Sequence, residues 1–235
     1  MTAAPLSSEP SPERAELEPV PDRTHSAVTS RIKRSFDLFV SAATLALLAP
    51  LLAAIAFVIR RTSPGPALFR QDRVGHQGRS FEVLKFRTMA VDNDDSAHRE
   101  LCIRQLTDGE AIAETSDGAF KLESDPRVTP VGQWLRRFSL DEVPQLINVL
   151  RGDMSIVGPR PALSFEADLY RPEHRRRLDV RPGLTGLWQT SGRNRLNMLE
   201  MLDLDVSYVD RWSHRLDLEI ILRTPLVLIR GDGAR

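Results

Sequence analysis

The residues whose types and spacing best suit catalysis or ligand binding in this chain are two adjacent carboxylates and one arginine. Asp141 and Glu142 stand just before an apolar helical run at 143–150, and Arg160 follows between two prolines. Ionised carboxylates side by side repel, so we expect a cation nearby; Mg²⁺ fits best because one or two carboxylates hold it together with substrate phosphates. The prolines restrict Arg160 to an extended backbone, and a fork of donors held in this way suits phosphate. The acids are therefore placed for metal binding or nucleophilic attack near a phosphate-binding cation.

The start of the helix decides how the two acids are presented. Ser139 with Glu142 three residues later has the pattern of a capping box, in which both side chains would only cap the helix. Pro144 argues against that interpretation, because it would then lie inside the helix and break a backbone hydrogen bond. A helix that starts near Asp141 places Pro144 in the first turn and both acids at the positive end of the helix dipole.

Other polar residues are open to two interpretations. Lys85 and Arg87 end a predicted strand, either as phosphate contacts or as solvated cations of a sheet edge. Arg181, followed by proline and glycine, repeats the arrangement at Arg160 more loosely. Asp203 and Asp205 lie on a predicted amphipathic helix, and their ordinary interpretation is solvation.

Composition narrows the class of protein. The formal net charge is zero, which gives no global case for nucleic-acid binding. The single cysteine, Cys102, cannot form an internal disulfide and indicates a reducing compartment. The five histidines show no metal-ligand spacing and are expected on the surface.

A membrane segment is predicted at 38–59, where 22 residues carry no charge. As a helix this run would measure about 33 Å, close to the roughly 30 Å hydrocarbon core of a bilayer. Basic residues flank both sides, so both ends favour the cytoplasm. Pro50 lies at the midpoint and favours a bend. A helix that enters, breaks at Pro50 and returns fits both facts; a plain spanning helix is the alternative.

The remaining chain predicts an α+β fold that is mostly helical. A short β-hairpin is expected from 67–71 and 81–86 around a glycine-containing turn. Amphipathic helices are expected at 131–138 and 196–209, and the apolar run 218–229 is too short to span a bilayer and is expected at its interface. The predicted organisation is a disordered tail, a membrane helix, and a catalytic domain that contains an acidic surface excursion, at 1–30, 31–61, 62–235 and 92–125 respectively.

Several long strings occur here in the order in which one known family has them. They are RSFDL, PALFRQDRVG, FEVLKFRTM, SLDEVPQLINVLRGDMSIVGPRP, VRPGLTGLWQ, SGRN and LDVSYV. Over residues 31–231 the chain strongly resembles the bacterial sugar transferases, also called monotopic phosphoglycosyl transferases or polyprenyl-phosphate glycosyl-1-phosphate transferases. The resemblance implies a re-entrant helix broken at Pro50, with interfacial helices around a catalytic helix. Many members have serine before that proline, whereas this chain has Ala49.

The resemblance also implies an activity. Its donor is a nucleoside diphosphate sugar, usually UDP-linked, and its acceptor is a polyprenyl phosphate such as undecaprenyl phosphate, at the cytoplasmic face of the bacterial inner membrane. Asp141 would be the nucleophile that releases UMP and holds the phosphosugar, and Glu142 would assist Mg²⁺ or the second step. The implied phosphate contacts are Lys85, Arg136, Arg160 and Arg181. Further polar positions of the family motifs are Gln189, Arg193, Asn194 and Asp205.

A second function class stays open at this point. A catalytically silent, membrane-anchored interaction protein could keep the phosphate site for binding alone. Such a protein would need Arg160 but would have no need of a nucleophile beside a metal, so the intact acidic pair favours the enzyme. The transfer would then be the first membrane step in the synthesis of a surface polysaccharide or glycoconjugate.

Overall fold

The computed structural model describes residues 27–89, 96–108, 127–192 and 196–230, so most of the predicted tail and much of the acidic excursion lie outside the described residues. The described part is mostly helical with two small sheets. Its helices and strands in chain order are α1 Ala27–Thr62, β1 Leu68–Val74, β2 Ser80–Phe86, α2 Ser96–Asp108, α3 Pro130–Arg137, α4 Gln145–Arg151, β3 Ser155–Val157, α5 Ser164–Asp168, β4 Gly183–Thr185, α6 Leu187–Ser191, α7 Met198–Arg211 and α8 His214–Arg230. Single 3-10 segments lie at His76–Gly78, Leu140–Glu142 and His174–Asp179.

Helix α1 contains the predicted membrane segment. Its part Ser30–Thr62 is long and apolar enough to cross a membrane, and Pro50 lies inside the helix. Large apolar side chains of this helix are exposed, among them Phe39, Leu47 and Phe57. The predicted long apolar helix is therefore present, and most of its surface is not covered by the rest of the chain.

The predicted hairpin is confirmed and is longer than expected. Strands β1 and β2 pair antiparallel in a register that places Leu68 opposite Phe86 and Val74 opposite Ser80. The tight connection requires positive φ at Gln77 (56°) and Gly78 (72°), a region in which glycine carries no steric penalty.

A second sheet joins the chain after α4 to the chain before α6. Strands β3 and β4 run parallel, with Ser155 opposite Gly183 and Val157 opposite Thr185. A Cβ atom on Gly183 would lie 2.1 Å from the backbone nitrogen of Gly158, so this approach requires glycine. The close contact fixes the start of the proline-flanked loop that carries Arg160.

Apolar side chains from the sheets and helices form the cores that hold these elements. One cluster joins β2, α4, β3, α7 and α8 and includes Val83, Val149, Val157 and Tyr208. Helix α2 contributes Cys102 and Leu106 to another. His174 is also buried, at 4% exposure, so the expectation of a surface position is wrong for this histidine.

Candidate active site

The acidic pair lies on a 3-10 turn, Leu140–Glu142, and not inside a helix. Helix α4 begins only at Gln145, with Pro144 as its N-cap residue. The prediction that the helix starts near Asp141 is therefore wrong. Proline supplies no backbone N–H, and the φ of Pro144 is −59°. Just before the first helical residue, the missing N–H removes no helix hydrogen bond and this φ is compatible with the helix that follows.

The capping interpretation of Ser139 is excluded by its conformation. Ser139 has a φ of 52°, in the left-handed region, and its side chain makes no capping hydrogen bond. A non-glycine residue in this region is uncommon and is found where surrounding contacts impose it, often at functional sites. The left-handed residue turns the chain sharply after α3 and presents Asp141 and Glu142 on a short turn, both half-buried.

Lys85 is brought to this turn by strand β2. Its Nζ atom lies 3.0 Å from Oε1 of Glu142, with a side-chain exposure of 26%. The strand is held against α4 by the fully buried Asn148, whose Oδ1 accepts from the Leu84 backbone at 3.0 Å and whose Nδ2 donates to the Glu82 carbonyl at 2.6 Å. Spacing and residue type do not single out Asn148, because an asparagine in a helix is usually solvated. The solvated-cation interpretation does not describe Lys85.

Arg87, two residues beyond Lys85, is also not a solvated cation. It is buried and donates to both the carbonyl and the hydroxyl oxygen of Ser63, at 2.9 and 2.8 Å. Its role is to join the end of the hairpin to the segment that follows α1.

Opposing charges act on Asp141. Burial and the neighbouring Glu142 raise the pKa of Asp141 above its ordinary value, while Lys85 and Arg136 act to lower it. Arg136 comes from the last turn of α3, where its Nε donates to the hydroxyl of Thr88 at 3.0 Å. Four predicted site residues therefore act on one another here: two acids that repel and two cations that favour their ionised forms.

Arg160 lies on a loop whose backbone is held by two buried arginines. Arg73 donates to the carbonyl of Pro161 at 3.1 Å, and Arg177 donates to the carbonyl of Arg160 itself at 2.7 Å. Burial, with a further contribution from Arg160, lowers the pKa of Arg73 to about 10. The Arg160 side chain remains 36% exposed, and its Nη1 is 3.8 Å from Oε1 of the buried Glu166. The Arg160 guanidinium is thus accessible, and the backbone of its loop is held in place by Arg73 and Arg177.

Asp205 is a structural residue in this arrangement. It is 1% exposed and accepts two hydrogen bonds from Arg177, from Nε at 3.1 Å and Nη2 at 2.5 Å. The expectation that Asp205 is solvated is wrong, whereas Asp203 is 72% exposed as expected. A period-3.6 pattern alone did not reveal the buried arginine that Asp205 faces.

The other predicted residues are not joined to the acidic turn by a described contact. Arg181 donates to the carbonyl of Gly152 at 2.9 Å. Gln189 donates to the carbonyl of Leu184 at 3.4 Å, and its Oε1 is buried without a hydrogen-bond partner among the described residues. Arg193 and Asn194 lie outside the described residues.

The donor set at the turn suits a magnesium ion that also binds substrate. Within the described ranges, no three His, Cys, Asp or Glu side chains lie close enough together to form a complete metal cage. Asp141 and Glu142 alone offer two carboxylates, and Mg²⁺ is commonly held by one or two carboxylates with phosphates and water completing its shell. The residues therefore fit Mg²⁺ in the presence of a diphosphate.

Comparison with known sequences decides the family. A family model described as "Bacterial sugar transferase" matches residues 28–231, which include every element described above except the first residue of α1. The chain belongs to the bacterial sugar transferase family. The resemblance drawn from the seven sequence strings is confirmed.

Named relatives of this family member come from several bacteria. Galactosyl transferase CpsE of Streptococcus agalactiae is 45% identical over 74% of this chain and 37% of its own length. Exopolysaccharide production protein ExoY of Sinorhizobium fredii is 43% identical over 85% of this chain and 87% of its own length. The UDP-glucose:undecaprenyl-phosphate glucose-1-phosphate transferase of Caulobacter vibrioides is 43% identical over 86% and 71%. The chain thus spans less than half of the streptococcal relative and most of ExoY.

Proposed function

We propose that this chain transfers a sugar 1-phosphate from a UDP-sugar to a polyprenyl phosphate such as undecaprenyl phosphate, as the first membrane step of surface polysaccharide synthesis. The observation that carries the proposal is the half-buried turn with Asp141 and Glu142 beside Lys85 and Arg136. The printed names of the relatives supply the substrate classes. A silent binding protein would need the cations. It would have no need of a carboxylate such as Asp141, whose pKa is raised by burial and by a neighbouring acid.

In the first step, a carboxylate oxygen of Asp141 attacks the phosphorus that carries the sugar. The bond from that phosphorus to the bridging oxygen breaks, and the electron pair leaves with UMP. The product is an acyl phosphate in which the sugar phosphate is bound to Asp141. Lys85 and Arg136 favour the ionised nucleophile, and Arg160 offers two donors to a phosphate oxygen.

In the second step, a phosphate oxygen of the polyprenyl phosphate attacks the same phosphorus. The Asp141 carboxylate leaves, which restores the enzyme and yields a polyprenyl diphosphate sugar. Mg²⁺, held by Asp141 and Glu142 with the donor, would neutralise charge on the phosphoryl oxygens. Lys85 lies 3.0 Å from Glu142 and keeps that carboxylate oriented through both steps.

Contacts at both ends of α1 support a re-entrant membrane helix. Near its start, Arg34 donates to the carbonyl of Val149 at 2.6 Å and Asp37 accepts from the hydroxyl of Ser155 at 2.8 Å. Near its end, Ile55 and Ile59 are buried in a cluster with Leu135. The residues between, 42–54, include none that is buried. Both ends therefore dock on one globular body, as expected if both lie at the cytoplasmic face.

Cysteine labelling tests this topology. We expect Ser30→Cys and Pro64→Cys, both at exposed positions on either side of the segment, to react with a membrane-impermeant maleimide from the cytoplasmic side only. The native Cys102 is fully buried, so the parent chain serves as a low-background control. Labelling of the two positions from opposite sides would establish a spanning helix. Position 65 is avoided because Gly65 has a φ of 109°.

Enzyme assay tests the activity and the donor together. Membranes that contain the chain, supplied with Mg²⁺, polyprenyl phosphate and each of several UDP-sugars, are expected to release UMP with at least one sugar. The matched control omits the polyprenyl phosphate, which should limit release to about one UMP per enzyme because the second step is blocked. Absence of UMP with every donor would support the binding-protein alternative.

A further inference from the structure

A cavity of about 350 Å³ lies between the end of α7 and the first half of α8, with Leu187 of α6 in its wall. No residue of the acidic turn or of the Arg160 loop lines it. Its polar lining is dominated by three arginines, Arg211, Arg215 and Arg223, against one carboxylate, Glu219. The cavity is therefore cationic and separate from the proposed catalytic residues.

The donors in this cavity are largely uncommitted. The Arg215 side chain is exposed and makes no hydrogen bond or ion pair within the part of the chain that the structure describes. Arg223 is paired with Glu219 one turn earlier on α8, with both side chains about half exposed. Arg211 donates only its Nε to the Ser207 carbonyl within the described residues, at 3.4 Å. A guanidinium presents five donors, so an oxyanion could be bound here by several charge-assisted hydrogen bonds.

A row of exposed leucines runs beside the charged residues on the same helix. Leu218, Leu222 and Leu226 follow each other at intervals of four and are 53%, 65% and 55% exposed. Arg215, Glu219 and Arg223 have the same interval, so the two rows run side by side along the helix. An apolar row next to a cationic one is the pattern of a helix that lies in the membrane interface.

We propose that this cavity binds the phosphate headgroup of an anionic phospholipid from the surrounding bilayer, with the acyl chains along Leu218, Leu222 and Leu226. The cavity is at the small end of the range of ligand pockets, which suits a glycerophosphate headgroup. The proposal rests on the membrane contact proposed above and not on the chemistry at Asp141. It gives α8 a lipid-specific attachment in addition to apolar burial.

Lipid titration of the full chain in neutral detergent tests the site. Native mass spectrometry is expected to show tighter retention of phosphatidylglycerol than of phosphatidylcholine. Each basic residue near an anionic lipid surface contributes about fivefold in affinity, so Arg215→Gln with Arg223→Gln should weaken phosphatidylglycerol binding by about 25-fold. Glu219→Gln should strengthen it, because the Glu219 carboxylate that lines the cavity loses its charge.

The matched control is Arg104→Gln on α2. Arg104 pairs with Glu100 one turn away at similar exposure to the Arg223–Glu219 pair, but lies outside the cavity. It should leave lipid retention unchanged. Equal retention of the two lipids, or a double variant within about twofold of the parent, would overturn the proposal. If the double variant lost binding of polyprenyl phosphate but retained phosphatidylglycerol as the parent does, the cavity would belong to the acceptor. That result would also overturn the proposal. None of these readings depends on UMP release.

Discussion

Replacement of Asp141 by asparagine is expected to reduce UMP release by at least about 10⁴-fold, the order of loss seen when a nucleophile is removed from a catalytic unit. The amide has nearly the same shape but cannot form the acyl phosphate. Burial and Glu142 raise the pKa of Asp141, so its negative charge opposes folding at neutral pH. The variant should therefore unfold at the same temperature as the parent or above it, which thermal unfolding in detergent would show.

Glu142→Gln is the matched control for Asp141→Asn. It removes the neighbouring charge and the ion pair with Lys85 but leaves the nucleophile in place. We expect slower turnover with a measurable rate, and a weaker apparent affinity for Mg²⁺. Full turnover by Asp141→Asn would contradict the assigned nucleophile, and equal loss in both variants would contradict the division of roles between the acids.

Replacement of Asp205 by alanine is expected to lower the free energy of unfolding by about 3–5 kcal/mol, because it leaves the buried Arg177 without its charge partner. Arg177 also donates to the Arg160 carbonyl, so activity should fall together with stability. Chemical denaturation in detergent and the UMP assay measure the two effects.

Asp203→Ala supplies the comparison on the same helix. Asp203 is 72% exposed and lies 3.0 Å from Nε2 of His174, so its loss should cost no more than about 1 kcal/mol. Equal destabilisation by the two substitutions would show that the buried pair with Arg177 is not what Asp205 contributes.

Local patterns in the sequence were sufficient for the elements that depend on local physics. The uncharged run of α1 and the β1–β2 hairpin were both predicted, because length, hydropathy and turn glycines act over short distances. Pro144 correctly argued against the capping box of Ser139. The same proline was predicted in the first turn of a helix that starts near Asp141, whereas α4 starts after it, because helix boundaries are the least determined part of such a pattern.

Residues that act through distant partners could not be predicted from spacing. Asp205 and Arg177 are 28 positions apart, and nothing in the amphipathic pattern of α7 indicates that one aspartate meets a buried arginine. Arg73 stands in one of the family strings, but its bond to the Pro161 carbonyl spans 88 positions. The proposed roles of Asp141 and Glu142 come from the family resemblance. The hydrogen bonds from Arg73 and Arg177 that hold the Arg160 loop are visible only in the structure.

The most direct measurement uses a UDP-sugar labelled with ³²P on the sugar-bearing phosphate, given to the full chain with Mg²⁺ and without polyprenyl phosphate. The label is expected to become bound to the protein as UMP is released and to be absent from Asp141→Asn. Polyprenyl phosphate added afterwards is expected to remove the label from the protein into lipid. Release of UMP only when the acceptor is present, with no label on the protein at any time, would contradict a covalent intermediate on Asp141.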